Sequence, residues 1–187
     1  MRIITGKAKG IVLKTPKGDN TRPTAERVKE AVFSMLQFDI EGRCVLDLFA
    51  GSGQMGLEAL SRGAASATFV DKSKEAVNLI KENLEKTHLK ESGIVFQCDY
   101  LEFIRRNTGK SYDIIIIDPP YALKMYNPAL NALLSANMIK PSTLIVCESG
   151  TEEIFNGDVA LQAKFDVAKQ NKYGNTFITV LKLKDEE

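Results

Sequence analysis

The chain reads as an α/β protein built on a seven-stranded, mostly parallel sheet. From Cys44 onward, short apolar runs alternate with amphipathic stretches of helical length. The runs are continuously apolar, as in Cys44-Val-Leu and Ile114 to Ile117, which marks strands covered on both faces rather than half-exposed ones. Near the end, two strand-like segments follow each other with no helix between them, so a closing hairpin adds an antiparallel strand.

Taken in order, Arg2-Ile-Ile-Thr and Ile11-Val-Leu-Lys flank a Gly/Lys turn and are expected to form a small hairpin. Thr21 to Leu36 starts a helix, with Thr24 as its N-cap and Arg27 three residues on. Strands are expected at 44–49, 67–71, 94–99, 112–118 and 143–149, and helices near 54–62, 73–87, 100–106 and 126–137. The hairpin pairs Ala160 to Ala168 with Thr176 to Leu183 around a turn at Lys172-Tyr-Gly-Asn. No repeat or low-complexity linker interrupts the 187 residues, so one domain is expected: a basic hairpin-and-helix extension over 1–40 and a core over 41–187.

The apolar runs are only strand-length and Met1-Arg-Ile-Ile-Thr is no signal peptide, so neither a membrane span nor secretion is indicated and a cytoplasmic location is expected. Cys44, Cys98 and Cys147 each lie in an apolar segment far from the others, the pattern of small buried thiols rather than metal ligands or disulfides. The single His88 closes a Lys- and Glu-rich helix and reads as solvated, and no metal site is expected. Net charge is +1, yet the first 30 residues hold eight Lys/Arg against three acidic residues. That basic end, with Lys7 and Lys9, points to a polyanionic partner.

The first core strand ends at Asp47 and runs through Phe49-Ala50-Gly51-Ser52-Gly53 to Gly56 and a helix. Glycines there allow a sharp turn and close approach of a ligand, and the spacing satisfies the dinucleotide pattern GxGxxG, which is weak by itself. Asp47 shifts the reading, because a carboxylate before the loop repels a pyrophosphate and holds a cationic amino-acid moiety. Asp71, followed by Lys72, ends the second strand and suits ribose hydroxyls; Asp99, with Tyr100 beside it, ends the third and suits an adenine amine. Each Asp could equally be a helix N-cap. Together, at the carboxyl ends of successive strands, they fit S-adenosylmethionine.

Asp118-Pro119-Pro120-Tyr121, directly after the strand from Tyr112 to Ile117, forms a polar slot for a planar group bearing an NH2. Asp118 and the Pro119 carbonyl can accept the two N–H bonds, and Tyr121 can stack on the ring. A strand-ending turn would use the same residues.

Asp47-Leu-Phe-Ala-Gly-Ser-Gly53 with Asp118-Pro-Pro-Tyr121 resembles the class I S-adenosylmethionine-dependent amino-methyltransferases, a Rossmann-like fold. Thr21-Arg-Pro-Thr24 with Arg27-Val-Lys-Glu-Ala-Val-Phe33 narrows the resemblance to the bacterial 16S ribosomal RNA (guanine(966)-N(2))-methyltransferases, over nearly the whole chain. The resemblance implies S-adenosylmethionine as cofactor, the exocyclic N2 amine of a guanine as target, and Thr21, Arg22, Pro23, Thr24 and Arg27 as residues at the mouth of the site. It also implies a monomer acting on 16S rRNA in an assembled or partly assembled small subunit. Two positions depart from the family pattern: Ile11 stands where an arginine is common, and Asp71 where a glutamate is usual. An adenine-N6 methyltransferase on DNA or RNA shares the tetrapeptide, and a non-catalytic RNA-binding module shares the fold. A nicotinamide oxidoreductase would leave Asp47 and Asp118 without a task.

Overall fold

The computed structural model of the protein describes residues 1–16, 23–119 and 123–184, with the backbone alone for 23–25, 123 and 124. Helix α1 (Pro23–Met35) precedes β1 (Cys44–Asp47), α2 (Gln54–Ser61), β2 (Ser66–Asp71), α3 (Lys74–Lys86), β3 (Gly93–Gln97), α4 (Tyr100–Arg106), β4 (Ile114–Ile117), α5 (Leu123–Ser135), β5 (Leu144–Ser149), α6 (Val159–Gln162), β6 (Phe165–Tyr173) and β7 (Thr176–Leu183). They form one seven-stranded sheet in the order β3-β2-β1-β4-β5-β7-β6. The strands from β1 to β5 pair in parallel, and β7 runs antiparallel between β5 and β6.

Alternation along each strand divides the core into two layers. Val45, Ile114, Ile116 and Val146 face α1, α2 and α3 through Val32, Phe33, Leu57 and Ile80. Leu46, Ile115, Ile117 and Cys147 face α4, α5 and α6 through Phe103, Tyr126, Leu133 and Leu161. Burial on both faces is why these strands are continuously apolar. The strand order reverses direction between β1 and β4, the place where open α/β sheets bind ligands outside their carboxyl ends.

Four expectations need correction. The N-terminal hairpin shrinks to a single Arg2–Val12 bridge with flanking bonds such as Gly10 N–H to the Ile3 carbonyl at 2.8 Å. The cause is competition: the amides of Ile4 and Thr5 donate to the Glu58 carboxylate at 2.8 and 3.0 Å, and that of Lys7 to the Ser61 carbonyl at 2.8 Å, so no ladder continues. Helix α1 begins at Pro23, which places Thr24 inside the first turn instead of at the N-cap; proline suits that first position because it lacks the N–H that would be unpaired there. The expected strand start at Ala160 is helical, because Asp158 Oδ1 accepts from Leu161 N–H at 3.0 Å and caps α6. The terminal turn is tighter than expected, since Tyr173 pairs with Thr176 and only Gly174 (φ 62°) and Asn175 lie between them.

His88 occupies the left-handed position just after α3 (φ 57°), where Leu89 N–H reaches the Leu84 carbonyl and His88 N–H that of Glu85. That is a Schellman helix stop, a backbone task for the histidine. Cys147 is buried as expected, whereas Cys44 and Cys98 are half-exposed. No helix of the described residues is long and apolar enough to cross a membrane.

Candidate active site

A cleft of about 520 Å³ opens at the carboxyl ends of β1, β2 and β4. Its polar lining includes Asp47, Asp71, Asp99 and Asp118, and its apolar walls include Phe49, Tyr100 and Met125. Sheet topology alone brings these carboxylates together, because each ends a strand of the parallel core or follows one closely.

Asp47 lies at the floor, 2% exposed, and its Oδ2 accepts from Gly56 N–H in the first turn of α2 at 3.1 Å. Burial, against the opposing Gly56 bond and with smaller help from the charges of Asp118 and Asp71, pushes its carboxyl up to about 7. A cation bound in the cleft would relieve that cost by favouring the ionised form. Asp71 accepts from Gly51 N–H with Oδ2 (2.9 Å) and from Ser73 N–H with Oδ1 (2.8 Å), so it locks the glycine loop while each oxygen keeps a second lone pair. Asp99 does act as a helix cap, its Oδ1 accepting from Leu101 N–H at 2.9 Å, and it lines the cleft as well. Capping α4 leaves the residue at the cleft wall.

The glycines divide their labour. Gly51 has φ 53° and open space where a Cβ would stand, so the backbone there is available to a ligand. Gly56 does not line the cleft: a Cβ on it would come within 2.3 Å of the Phe69 ring, and its absence lets α2 sit tightly on β2. Phe49 and Tyr100 pack ring to ring, centroids 5.0 Å apart and planes tilted by 46°, and give the cleft an aromatic wall.

Residues 1–182 match the family described as "Conserved hypothetical protein 95". The chain belongs to this family. Among its relatives, "Putative rRNA methyltransferase YlbH" of Bacillus subtilis is 37% identical over 81% of this chain and 84% of its own length. "Ribosomal RNA small subunit methyltransferase D" of Escherichia coli is 31% identical over 93% and 85%. The solved "Putative methyltransferase yhhF from Escherichia coli" superposes with a TM-score of 0.86 at 30% identity, covering 100% of this chain and 99% of its own. A "putative methylase HI0767 from Haemophilus influenzae" follows with 0.78 at 29%, covering 98% of each chain. The fold is that of class I methyltransferases, for which the sequence motifs lead to S-adenosylmethionine as the expected cofactor.

In this member of the conserved hypothetical protein 95 family, the residues present fit that cofactor. A buried carboxylate pushed up towards neutrality suits an ammonium or sulfonium, and the buried Oε1 of Gln54 lacks a hydrogen-bond partner among the described residues. The cleft also contains Ala50, Ser52 and Lys72. Gly53 stands behind it as the left-handed residue preceding α2. Pro119 is buried beside Asp118; Pro120 and Tyr121 lie outside the described residues, as do Thr21 and Arg22.

Helix α1 runs parallel to α2: Lys29 Nζ lies 3.6 Å from Glu58, and one turn later Arg62 sits over the Phe33 ring at 4.9 Å. Extended back one turn, this register sets Ala25, in the first turn of α1, level with Gln54, at the cleft end. Arg27 is exposed near that end. Lys7 and Lys9 are also exposed but sit by Ser61, at the opposite end of the eight-residue α2, about 10 Å along its axis from the cleft.

The basic arm is smaller than composition suggests. Lys29 is 1% exposed and bound to Glu58 and the Arg2 carbonyl, Lys14 pairs with Glu82 at 2.7 Å, and Arg2 lies 3.9 Å from Glu26. Ile11 packs half-buried against the core, which explains an apolar residue there. Sequence reasoning missed Pro16, Gln54, Met55, Cys98 and Met125 in the cleft. It also missed Glu148, the next-to-last residue of β5, which the strand register sets beside Asp118, the residue after β4.

Proposed function

We propose that the protein transfers a methyl group from S-adenosylmethionine to the exocyclic N2 amine of a guanine in 16S ribosomal RNA. The observation that carries this reading is the opening of Asp118 into the same cleft as Asp47 and Asp71, so that an amine acceptor and a cationic cofactor meet in one space. The names of the relatives support ribosomal RNA as the substrate class. In this reading a monomer works on the assembled or partly assembled small subunit, with residues 1–40 as an extension of a single catalytic domain. Thr21, Arg22, Pro23, Thr24 and Arg27 line the mouth, and Lys7 and Lys9 contact phosphates further out.

When bound, the cofactor supplies a methyl group already activated on a positive sulfur. Asp47 holds the cationic end, Asp71 the ribose hydroxyls, and Asp99 with Tyr100 the adenine. An exocyclic guanine amine is a weak nucleophile because its lone pair is delocalised into the ring. Asp118 and the Pro119 carbonyl accept its two N–H bonds, turn the nitrogen towards tetrahedral geometry and aim its lone pair at the methyl carbon. The cofactor would supply the methyl carbon to the acceptor nitrogen, and its sulfur would keep the electron pair of the broken carbon–sulfur bond. Positive charge on the nitrogen is stabilised by Asp118, which takes the surplus proton. Tyr121 stacks on the flipped base and replaces stacking lost from the RNA.

Mass spectrometry of rRNA nucleosides from cells lacking the gene tests the reading. One N2-methylguanine should disappear from the small subunit and return when the gene is restored. Loss of N6-methyladenine instead would move the target to adenine, and an unchanged nucleoside profile would leave only a binding role.

A further inference from the structure

Strands β4 and β5 are parallel and pair Ile117 with Cys147, so the next residues, Asp118 and Glu148, are neighbours at the carboxyl edge. Adjacent strands lie about 4.8 Å apart. By alternation both side chains leave the sheet on the face of Ile116 and Val146, the face shared with Asp47. Two carboxylates thus stand side by side, and only Asp118 has a task in the mechanism above. Both carboxyls are pushed up, Asp118 by burial and Glu148 by burial and then by the charge of Asp118. Buried neighbours of like charge cannot both ionise cheaply, so they keep a proton between them near neutral pH.

We propose that Glu148 is a positioning residue for methyl transfer: its protonated carboxyl donates to one oxygen of Asp118 and leaves the other to accept from the substrate amine. This deepens the amine-transfer reading and rests on it. The surplus proton of the acceptor nitrogen passes to the free oxygen of Asp118, and Glu148 keeps its own proton throughout. The Glu148 backbone is fixed for this role, because its carbonyl accepts from the hydroxyl of the fully buried Tyr126 and its strand is clamped by Ile178 of β7 on the other side.

The charged and titratable groups around the pair, among the described residues, are few. Asp47 comes from β1 and Asp71 from β2; Cys147 precedes Glu148 on β5; and Tyr126 of α5 has its hydroxyl pushed up by burial, then by Cys147, Asp118 and Glu148. From α1, Glu26 lies 3.9 Å from Arg2 and Arg27 is exposed. None of these is a buried cation that would hold both carboxylates ionised.

The test combines a titration and a pH profile. Carbon-13 NMR of the side-chain carboxyls in the protein without cofactor should show Glu148 protonated well above the ordinary carboxylate range, and Asp118→Asn should lower its midpoint by about one unit, the effect of removing a like charge. In single-turnover transfer, the wild type should lose rate on the alkaline side as Glu148 ionises. Glu148→Gln, which keeps an N–H donor at every pH, should retain the neutral rate and lose that alkaline limb. Glu148→Ala should slow transfer about tenfold or more at neutral pH through lost orientation. A Glu148 midpoint unmoved by Asp118→Asn, or an alkaline limb unchanged in Glu148→Gln, overturns the proposal. A product other than N2-methylguanine would overturn the target assignment and leave the titration result standing, so the two failures are distinguishable.

Discussion

Two carboxylates are buried at helix α2, Glu58 on it and Asp47 bonded to its first turn, and their surroundings are opposite. Glu58, 0% exposed, is closed by its own chain: the amides of Ile4 and Thr5, the Arg62 side chain at 2.8 Å and Lys29 at 3.6 Å surround it. Asp47, 2% exposed, has one amide from Gly56, two acidic neighbours in Asp71 and Asp118, and no cation paired with it among the described residues. The closed carboxylate pins the N-terminal segment to the core. The open one carries a cost that the fold does not relieve by itself, and it marks where a positively charged ligand belongs.

Breaking the closed site should give the largest effect. Glu58→Ala leaves Lys29 buried without its counter-charge and should cost about 3–5 kcal/mol, seen as a fall in melting temperature of roughly 10 °C. Cofactor affinity of the folded protein should stay within a few-fold, measured by calorimetry. A melting temperature near wild type would show that Glu58 does not hold the arm.

The open site should behave in reverse. Asp47→Asn keeps an acceptor for Gly56 and removes the buried charge, so it should stabilise the cofactor-free protein by about 4 kcal/mol at pH 7.5. Because the folded carboxyl is pushed up from its ordinary 3.8 to about 7, the native state holds a proton that the unfolded state has lost across that window. Wild-type stability should therefore fall as pH rises from about 4 to about 7, with the gap to Asp47→Asn closing at the acid end. Thermal melts at several pH values check the sign, and the same variant should lose at least tenfold in cofactor affinity.

Smaller effects sharpen the comparison. Asp71→Ala should weaken cofactor binding about tenfold by removing the ribose acceptor and loosening Gly51; a wild-type dissociation constant would refute that role. Replacing Lys7 and Lys9 together with alanine should lower the salt dependence of RNA binding by about one unit of log slope per lysine, with the methyl-transfer rate at saturating RNA unchanged.

Local signals were legible in the sequence. Strand ends carrying Asp47, Asp71 and Asp118 and the glycine loop before α2 announce themselves through apolar runs and turn residues, and the parallel topology then forces them into one cleft. What escaped depends on distant partners. The Lys29–Glu58 pair joins residues 29 apart, and the bonds from Ile4 and Thr5 to Glu58 span 54 and 53, so the buried state of a lysine counted as a surface charge cannot be read from its neighbours in sequence. Glu148 escaped for a related reason: only the β4–β5 register shows that it stands beside Asp118. Helix α6 escaped because it is four residues long and rests on one cap at Asp158, next to an apolar segment that does go on as strand β6 from Phe165.

The most direct test of the account is single-turnover methyl transfer by Asp118→Ala, at saturating S-adenosylmethionine, to small subunits from cells lacking the gene. Cofactor binding should remain within about threefold of wild type, since Asp47 and Asp71 hold it, while the transfer rate should fall at least about a hundredfold, the scale of losing a positioned proton acceptor. An unchanged transfer rate in that variant would contradict the assignment of Asp118 to the acceptor amine.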